Sequence, residues 1–400
     1  MKKKITTSDL AIYGGTPAFA EPLHVGKPNM GQSKDFFARV NDIMERRWFS
    51  NNGRYVQEFE RELCKFLGVK HCIPMCNATV ALEIAIRALE LKGEVIIPSF
   101  TFIATAHALQ WQEVTPVFCD IDPVTHNLDP VCVEKLITPR TSGIIGVHVW
   151  GRPCAVETLS EIAKRRGLKL MFDAAHAFAC SHNGKMIGNF GNAEVFSFHA
   201  TKFFNTFEGG AVATNDDALA AKIRLMKNFG FQGLDNVIYI GTNGKMTEIS
   251  AAMGLTSLES KNQFISVNRA NYYTYQQHLE NIPGVRLIDY NDNEENNYHY
   301  IVLQLNDKEA KISRDQLLAI LSAENVLARR YFFPGCHRME PYRSYFPHAG
   351  LLLPETESLT TSVLSLPNGD TVSKETIKSI CELIRFSINN SDEIRAFRLN

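Results

Sequence analysis

Between about residue 68 and residue 214, short apolar runs rich in Val, Ile and Phe alternate with longer stretches whose apolar positions recur at helical spacing. The runs at 71–74, 94–98, 115–120, 143–149, 168–173, 194–199 and 211–214 show no polar alternation, the pattern of strands covered on both faces. Helices are predicted between them, notably at 79–91, 101–111 and 156–166. Strand and helix in alternation predict an α/β domain around a mostly parallel sheet. After about residue 256 the pattern changes to a long helix at 258–279 with few breakers. Strands at 285–288 and 299–305 follow, with helices at 313–323 and 374–388. The chain is thus expected to hold an N-terminal extension (1–30), a large α/β domain (31–256), and a connecting helix with a smaller α+β domain (257–400).

Composition narrows the partners. The 400 residues are 45% hydrophobic, ample for a large core, and 42 Lys+Arg stand against 43 Asp+Glu for a net charge of −1. That balance lacks the basic excess that nucleic acid or an anionic membrane demands, and points to a small-molecule partner. No stretch approaches the roughly 18 apolar residues of a membrane span. Lys2, Lys3 and Lys4 lead into Ile5, Thr6, Thr7, Ser8 and Asp9 rather than the apolar run of a secretory signal, so export is not expected. Nine scattered cysteines, an odd count, suit a reduced cytoplasm. Cys72 and Cys76 lack the second pair that a zinc site needs, and no metal is expected.

Candidate chemistry collects at predicted strand ends. The strand through Val195, Phe196 and Phe198 runs into Ser197, His199, Thr201 and Lys202, with Gly209 and Gly210 before the next strand. Lys202 is either a solvated charge or a ligand group, since open α/β sheets bind ligands at this edge. Asp173 closes the preceding strand, either capping a helix or standing as an anion beside a cationic ring nitrogen. His176 touches the same ring or is a hydrogen-bonded core histidine. At Cys76, Asn77, Ala78 and Thr79 a helix opens, so its free amides offer a phosphate seat, though N-capping by Asn77 explains the composition equally well. Phe102 stacks on a planar ligand or fills the core. Together these groups meet the needs of pyridoxal 5′-phosphate: a Schiff-base lysine, an acid for the pyridinium nitrogen, a phosphate seat and a stacking ring.

The run Phe196, Ser197, Phe198, His199, Ala200, Thr201, Lys202 with Glu208, Gly209 and Gly210 resembles the signature of the DegT/DnrJ/EryC1/StrS sugar aminotransferases. Asp173, Ala174, Ala175, His176 resembles the family's aspartate motif, and Gly241 to Glu248 its Asn-containing loop before a helix. The likeness runs from about residue 22 to 388. It implies pyridoxal phosphate fold type I, a homodimer with shared active sites, and transamination. Lys202 would be the Schiff-base lysine and move the proton, and Asp173 would hold the pyridine nitrogen protonated. His176 would contact the cofactor ring and Phe102 would stack on it. Thr79, the backbone of Val80 and Ser197 would hold the phosphate, joined by Asn243 from the other subunit. The family commonly has Gln where His176 stands, and an aromatic where Gly244 stands. A branch that replaces the lysine with His acts as a dehydratase, and the retention of Lys202 favours transamination.

Three stretches look like the branch that aminates C4 of dTDP-4-dehydro-6-deoxy-D-glucose with L-glutamate. They are Leu10 to Gly15 with Pro22 to Gly26, Trp48 to Gly53, and Ala328 to His337. This implies a dTDP-keto-sugar as partner, with Asn52, Arg330, Tyr331 and His337 as substrate contacts. Amination of a 3-keto sugar is the alternative within the family. A pyridoxal phosphate lyase using Cys336 as nucleophile is an alternative outside it.

Overall fold

A computed structural model describes residues 4–396. Residues 1–3 and 397–400 lie outside the described residues, and with them Lys2 and Lys3 of the start that is not expected to be a secretory signal. The predicted strands form one seven-stranded sheet: β1 (His71–Met75), β2 (Glu94–Pro98), β3 (Thr115–Cys119), β4 (Thr141–Val147), β5 (Lys169–Asp173), β6 (Ala193–Ser197) and β7 (Gly210–Thr214). Their spatial order is β1-β7-β6-β5-β4-β2-β3. All neighbours are parallel except β7, which runs antiparallel to both β1 and β6. Successive side chains point to opposite faces, and both faces are covered, which is why the runs are continuously apolar. On one face Ile73, Val95, Ile145 and Val195 pack beneath the helices Ala78–Ala88, Ile103–Gln110 and Asp217–Met226. On the other, Ile144, Leu170 and Phe172 meet the helix Val156–Arg166, while Phe196 and Ala211 meet Arg54–Leu67 and Glu248–Leu279. This is the α/β architecture that the alternation predicts.

Strand ends differ by a few residues from the expectation. β4 stops at Val147 because a tight turn follows, with Trp150 at φ 57°. β6 stops at Ser197, freeing the residues up to Lys202 to turn over the sheet edge. The long helix begins at Glu248, ten residues before the predicted start, and passes residue 256 unbroken. Its first residue is fully buried, and the Glu248 carboxylate accepts the amides of Tyr55 at 3.0 Å and Val56 at 2.9 Å. The long helix is thereby tied to the start of the Arg54–Leu67 helix. Neither that helix nor Ser33–Arg46 is among the predicted elements.

The C-terminal part carries an antiparallel three-stranded sheet, β8 (Val285–Leu287), β9 (Ile301–Leu305) and β10 (Val363–Leu366), in the order β8-β9-β10. The helices Arg314–Ala323 and Lys374–Asn389 pack on it around Leu303, Ile320, Leu364 and Ile380. The N-terminal residues join this unit: Leu10 is buried in its core, and Leu23–His24 pairs in parallel with Val326–Leu327. Among the described residues no helix is long and apolar enough to cross a membrane.

Candidate active site

The C-terminal ends of β1, β5 and β6 open into a cavity of about 310 Å³, where an open α/β sheet places ligands. Phe196, Phe198, Phe203 and Phe204 are buried in the core around it. They pin the turn after β6, so that Lys202 lines the cavity together with Ser197. Lys202 has no carboxylate within ion-pair distance among the described residues, and Nζ donates to the Tyr300 hydroxyl at 3.2 Å. Burial holds its amine down at about 8, partly opposed by the charge of Asp173.

Asp173 ends β5 on the cavity wall. Its Oδ2 accepts from the Thr105 hydroxyl at 2.7 Å and its Oδ1 from the Ala175 amide at 3.0 Å. Burial raises its carboxyl, while those two hydrogen bonds and Lys202 act against the rise. No cation among the described residues pairs with it, so a buried carboxylate faces the cavity without a counter-charge. Such a group calls for a cationic ligand atom.

His176 also lines the cavity, and Trp150 donates its amide N–H to Nδ1 at 3.1 Å. An amide N–H only donates, so the imidazole carries its proton on Nε2. Burial pushes its protonation well below the ordinary histidine range. Phe102 stands at the mouth, 57% exposed, at the start of the Ile103–Gln110 helix. Tyr331 completes the group of anticipated residues gathered here.

The helix Ala78–Ala88 starts against the cavity, with Thr79 on its wall. Ala78 and Thr79 present amides with no intrahelical acceptor. Val80 departs from the expectation, since its amide is taken by the Asn77 side chain at 2.8 Å and it does not line the cavity. Two of the first amides, rather than that of Val80, are left for an anion. Gly210 lets β7 lie against this helix start: a Cβ there would sit 2.7 Å from the Ala78 nitrogen.

His337 does not reach the cavity either. It is 2% exposed, its Nδ1 sits 2.7 Å from the Ser99 hydroxyl, and its Nε2 sits 2.6 Å from Glu357. Both ring nitrogens are spent on holding the 336–338 turn, one to Ser99 just past β2 and the other to the helix Pro354–Ser362. Arg330 lines an adjoining cavity of about 360 Å³ that shares Phe102 and Tyr331 with the first. It pairs with Asp315 at 3.1 Å and lies over the Phe333 ring at 4.3 Å. Asn52 and Asn243 are exposed and lie outside this chain's own cavity. Cys336 is buried, bonded to the Thr101 carbonyl at 3.4 Å, and its thiol is pushed up to about 12. That is the state of an inert core thiol, which removes the basis of the lyase alternative.

Three site residues had no signal in the sequence pattern. Thr105 lies inside a predicted helix, and His299 and Tyr300 belong to the segment just before β9. Burial holds the His299 imidazole down at about 3.

Residues 31–385 match the DegT/DnrJ/EryC1/StrS aminotransferase family. The chain belongs to this family. Among its relatives in that aminotransferase family, the dTDP-4-amino-4,6-dideoxy-D-glucose transaminase of Shigella dysenteriae is 37% identical over 365 residues, 91% of this chain and 99% of that one. The GDP-perosamine synthase of Caulobacter vibrioides is 36% identical over 334 residues, 80% of this chain and 86% of that one. A solved structure of DesI, in the presence of its TDP-sugar product, superposes with a TM-score of 0.94 at 47% identity, covering 98% of this chain and 99% of that chain. The DegT/DnrJ/EryC1/StrS aminotransferase fold therefore accounts for nearly the whole chain, with Lys202 and Asp173 at the edge of its large sheet.

Proposed function

We propose that this aminotransferase uses pyridoxal 5′-phosphate to transfer the amino group of L-glutamate to C4 of dTDP-4-dehydro-6-deoxy-D-glucose, giving dTDP-4-amino-4,6-dideoxy-D-glucose and 2-oxoglutarate. One observation carries the cofactor: a half-buried lysine and a buried carboxylate without a counter-charge face one cavity, beside two free helix amides. The names of the relatives carry the sugar.

The residues present fit the cofactor. Asp173 supplies the anion for a protonated ring nitrogen, Lys202 the amine for the aldehyde carbon, and Thr79, Ser197 and the amide of Ala78 the donors for the phosphate. His176 offers an Nε2–H donor to the ring, and Phe102 a face to stack. Bound there, pyridoxal phosphate supplies an electron sink for the carbanion formed next to the transferred nitrogen.

The chain's own groups do the rest. A lysine held near 8 is substantially neutral at mildly alkaline pH, so Nζ takes a proton from the amine-bearing carbon without prior deprotonation by another base. Asp173 stays anionic against a cation and fixes its orientation through the Thr105 and Ala175 bonds. The two substrates follow one another at the same site, which is ping-pong logic. Contacts to the distant nucleotide, which we assign to Arg330 and Tyr331 beside the second cavity, hold the keto carbon in register.

We further infer a homodimer. Asn52 and Asn243 lie outside their own cavity on an exposed surface that also carries Trp48, Phe49 and Phe229, which suits contacts to a partner's site. Nine free thiols suit a reducing cytoplasm.

Incubation with L-glutamate and dTDP-4-dehydro-6-deoxy-D-glucose, with the amine position assigned by NMR, tests the reaction. An amine at C3, or turnover only of a GDP-linked sugar, overturns the assignment. Borohydride reduction of the loaded enzyme followed by peptide mapping is expected to label Lys202 alone.

A further inference from the structure

Lys202 sits on the large sheet's edge, but the group that holds its amine comes from elsewhere, 98 residues later in the chain. Tyr300 lies just before β9 of the small sheet, and its hydroxyl is the one hydrogen-bond partner of Nζ among the described residues. Its backbone is fixed on both sides by a second, half-buried tyrosine. The Tyr290 hydroxyl accepts the Tyr300 amide at 3.2 Å and donates to the Tyr300 carbonyl at 3.0 Å. The Tyr300 ring is held against His176 at 4.6 Å and against His299 at 4.7 Å between centroids. A hydroxyl so constrained marks one point in the cavity.

We propose that Tyr300 is a positioning residue for transamination, whose hydroxyl keeps the freed Lys202 amine in the cavity and aimed at the carbon whose proton it moves. The proposal rests on the pyridoxal phosphate reading above. When substrate nitrogen displaces the lysine, a flexible four-carbon chain with a free amine has many places to go, and misplacement by about 1 Å can cost a hundredfold in rate. The proton balance asks for a partner that serves both states of the amine. Nζ as NH2 takes the proton from the amine-bearing carbon, whose C–H electron pair stays behind, and becomes NH3+. That ammonium then returns the proton to the other carbon of the transfer and is again NH2. The Tyr300 hydroxyl breaks no bond of its own: its oxygen accepts an N–H of the ammonium, and its O–H donates to the neutral amine. Burial keeps the phenol well above its ordinary range, so it remains a hydroxyl throughout.

Tyr300→Phe keeps the ring contacts and removes only the hydroxyl. In the loaded enzyme, both half-reactions measured by rapid mixing are expected to slow about 10- to 100-fold, with KM for L-glutamate within about twofold of the parent. The acid limb of the kcat profile is expected to move to lower pH, because a charge-assisted bond to the ammonium is stronger than one to the neutral amine, so its loss favours the free base. Tyr290→Phe, which touches neither lysine nor substrate, is expected to give a smaller loss in kcat with the same KM. Unchanged kcat and an unmoved limb in Tyr300→Phe overturn the proposal. So does a loss of kcat that tracks a lowered melting temperature while the limb stays in place. Borohydride trapping separates this result from failure of the cofactor reading. A parent enzyme that traps no adduct at Lys202 overturns both readings, whereas normal trapping with unaltered Tyr300→Phe kinetics overturns this one alone.

Discussion

Lys202 sits in the large sheet's binding edge at an energetic cost that can be measured apart from catalysis. Its folded value near 8 lies below the 10.5 of a free lysine, so the folded state resists protonation. The cost is complete below about pH 8, fades as pH rises, and is gone above about pH 10.5. Lys202→Met should therefore raise the stability of the cofactor-free protein at pH 7 by up to about 3 kcal/mol. The gain should shrink between pH 8 and 10.5, as urea unfolding at the two extremes would reveal, and transamination by the variant should be undetectable. Asp173→Asn keeps the fold and an acceptor for Thr105 but removes the charge, so turnover should fall by at least about a hundredfold. Cofactor affinity, followed by visible absorbance, should fall with it. These two residues were legible because a chemically distinctive group follows an apolar strand closely, Asp173 at the end of β5 and Lys202 in the turn after β6. Tyr300 and Thr105 were not, since a contact made across 98 or 68 residues leaves no local pattern.

Elements were legible where burial on both faces wrote continuous apolar runs, and all seven sheet strands follow that rule. The start of the long helix was not, because its first turns are built from small residues rather than an apolar stripe. Ala251, Ala252 and Gly254 are buried there, and a Cβ on Gly254 would lie 2.7 Å from the Phe59 ring of the helix Arg54–Leu67. Close approach of the two helices, not amphipathic spacing, selects those residues. In an exposed helix Gly→Ala gains about 1 kcal/mol. Here the sign should reverse: Gly254→Ala must displace a buried aromatic ring and is expected to cost about 1–3 kcal/mol. Thermal unfolding of the variant decides between the two, since a raised melting temperature would mean the helices can part without loss.

At the scale of the whole molecule, the N-terminal segment links the small unit to the active site. Glu324, fully buried, pairs with Lys4 at 2.9 Å and accepts the amides of Ala11 at 2.7 Å and Ala18 at 2.6 Å. The segment then pairs with Val326–Leu327 through Leu23–His24 and continues into Val25 and Gly26, which line the cavity. A Cβ on Gly26 would lie 3.0 Å from Thr201, next to Lys202 in sequence, so this stretch of chain closes directly on the lysine turn. An anchor on the small sheet thus sets the wall of a site built on the large one. Glu324→Ala leaves two amides without their acceptor and a buried ammonium with only the Asp9 and Thr16 carbonyls in place of a counter-charge, and breaking a buried pair on one side costs about 3–5 kcal/mol. If the segment is held mainly by that carboxylate, amide hydrogen exchange at residues 5–24 should accelerate strongly while β1 to β7 stay protected. KM for the nucleotide sugar should rise several-fold, because one wall of its site has loosened, while borohydride still labels Lys202. Protection of residues 5–24 unchanged from the parent would show that the paired strand and the Leu10 core contact hold the wall without Glu324.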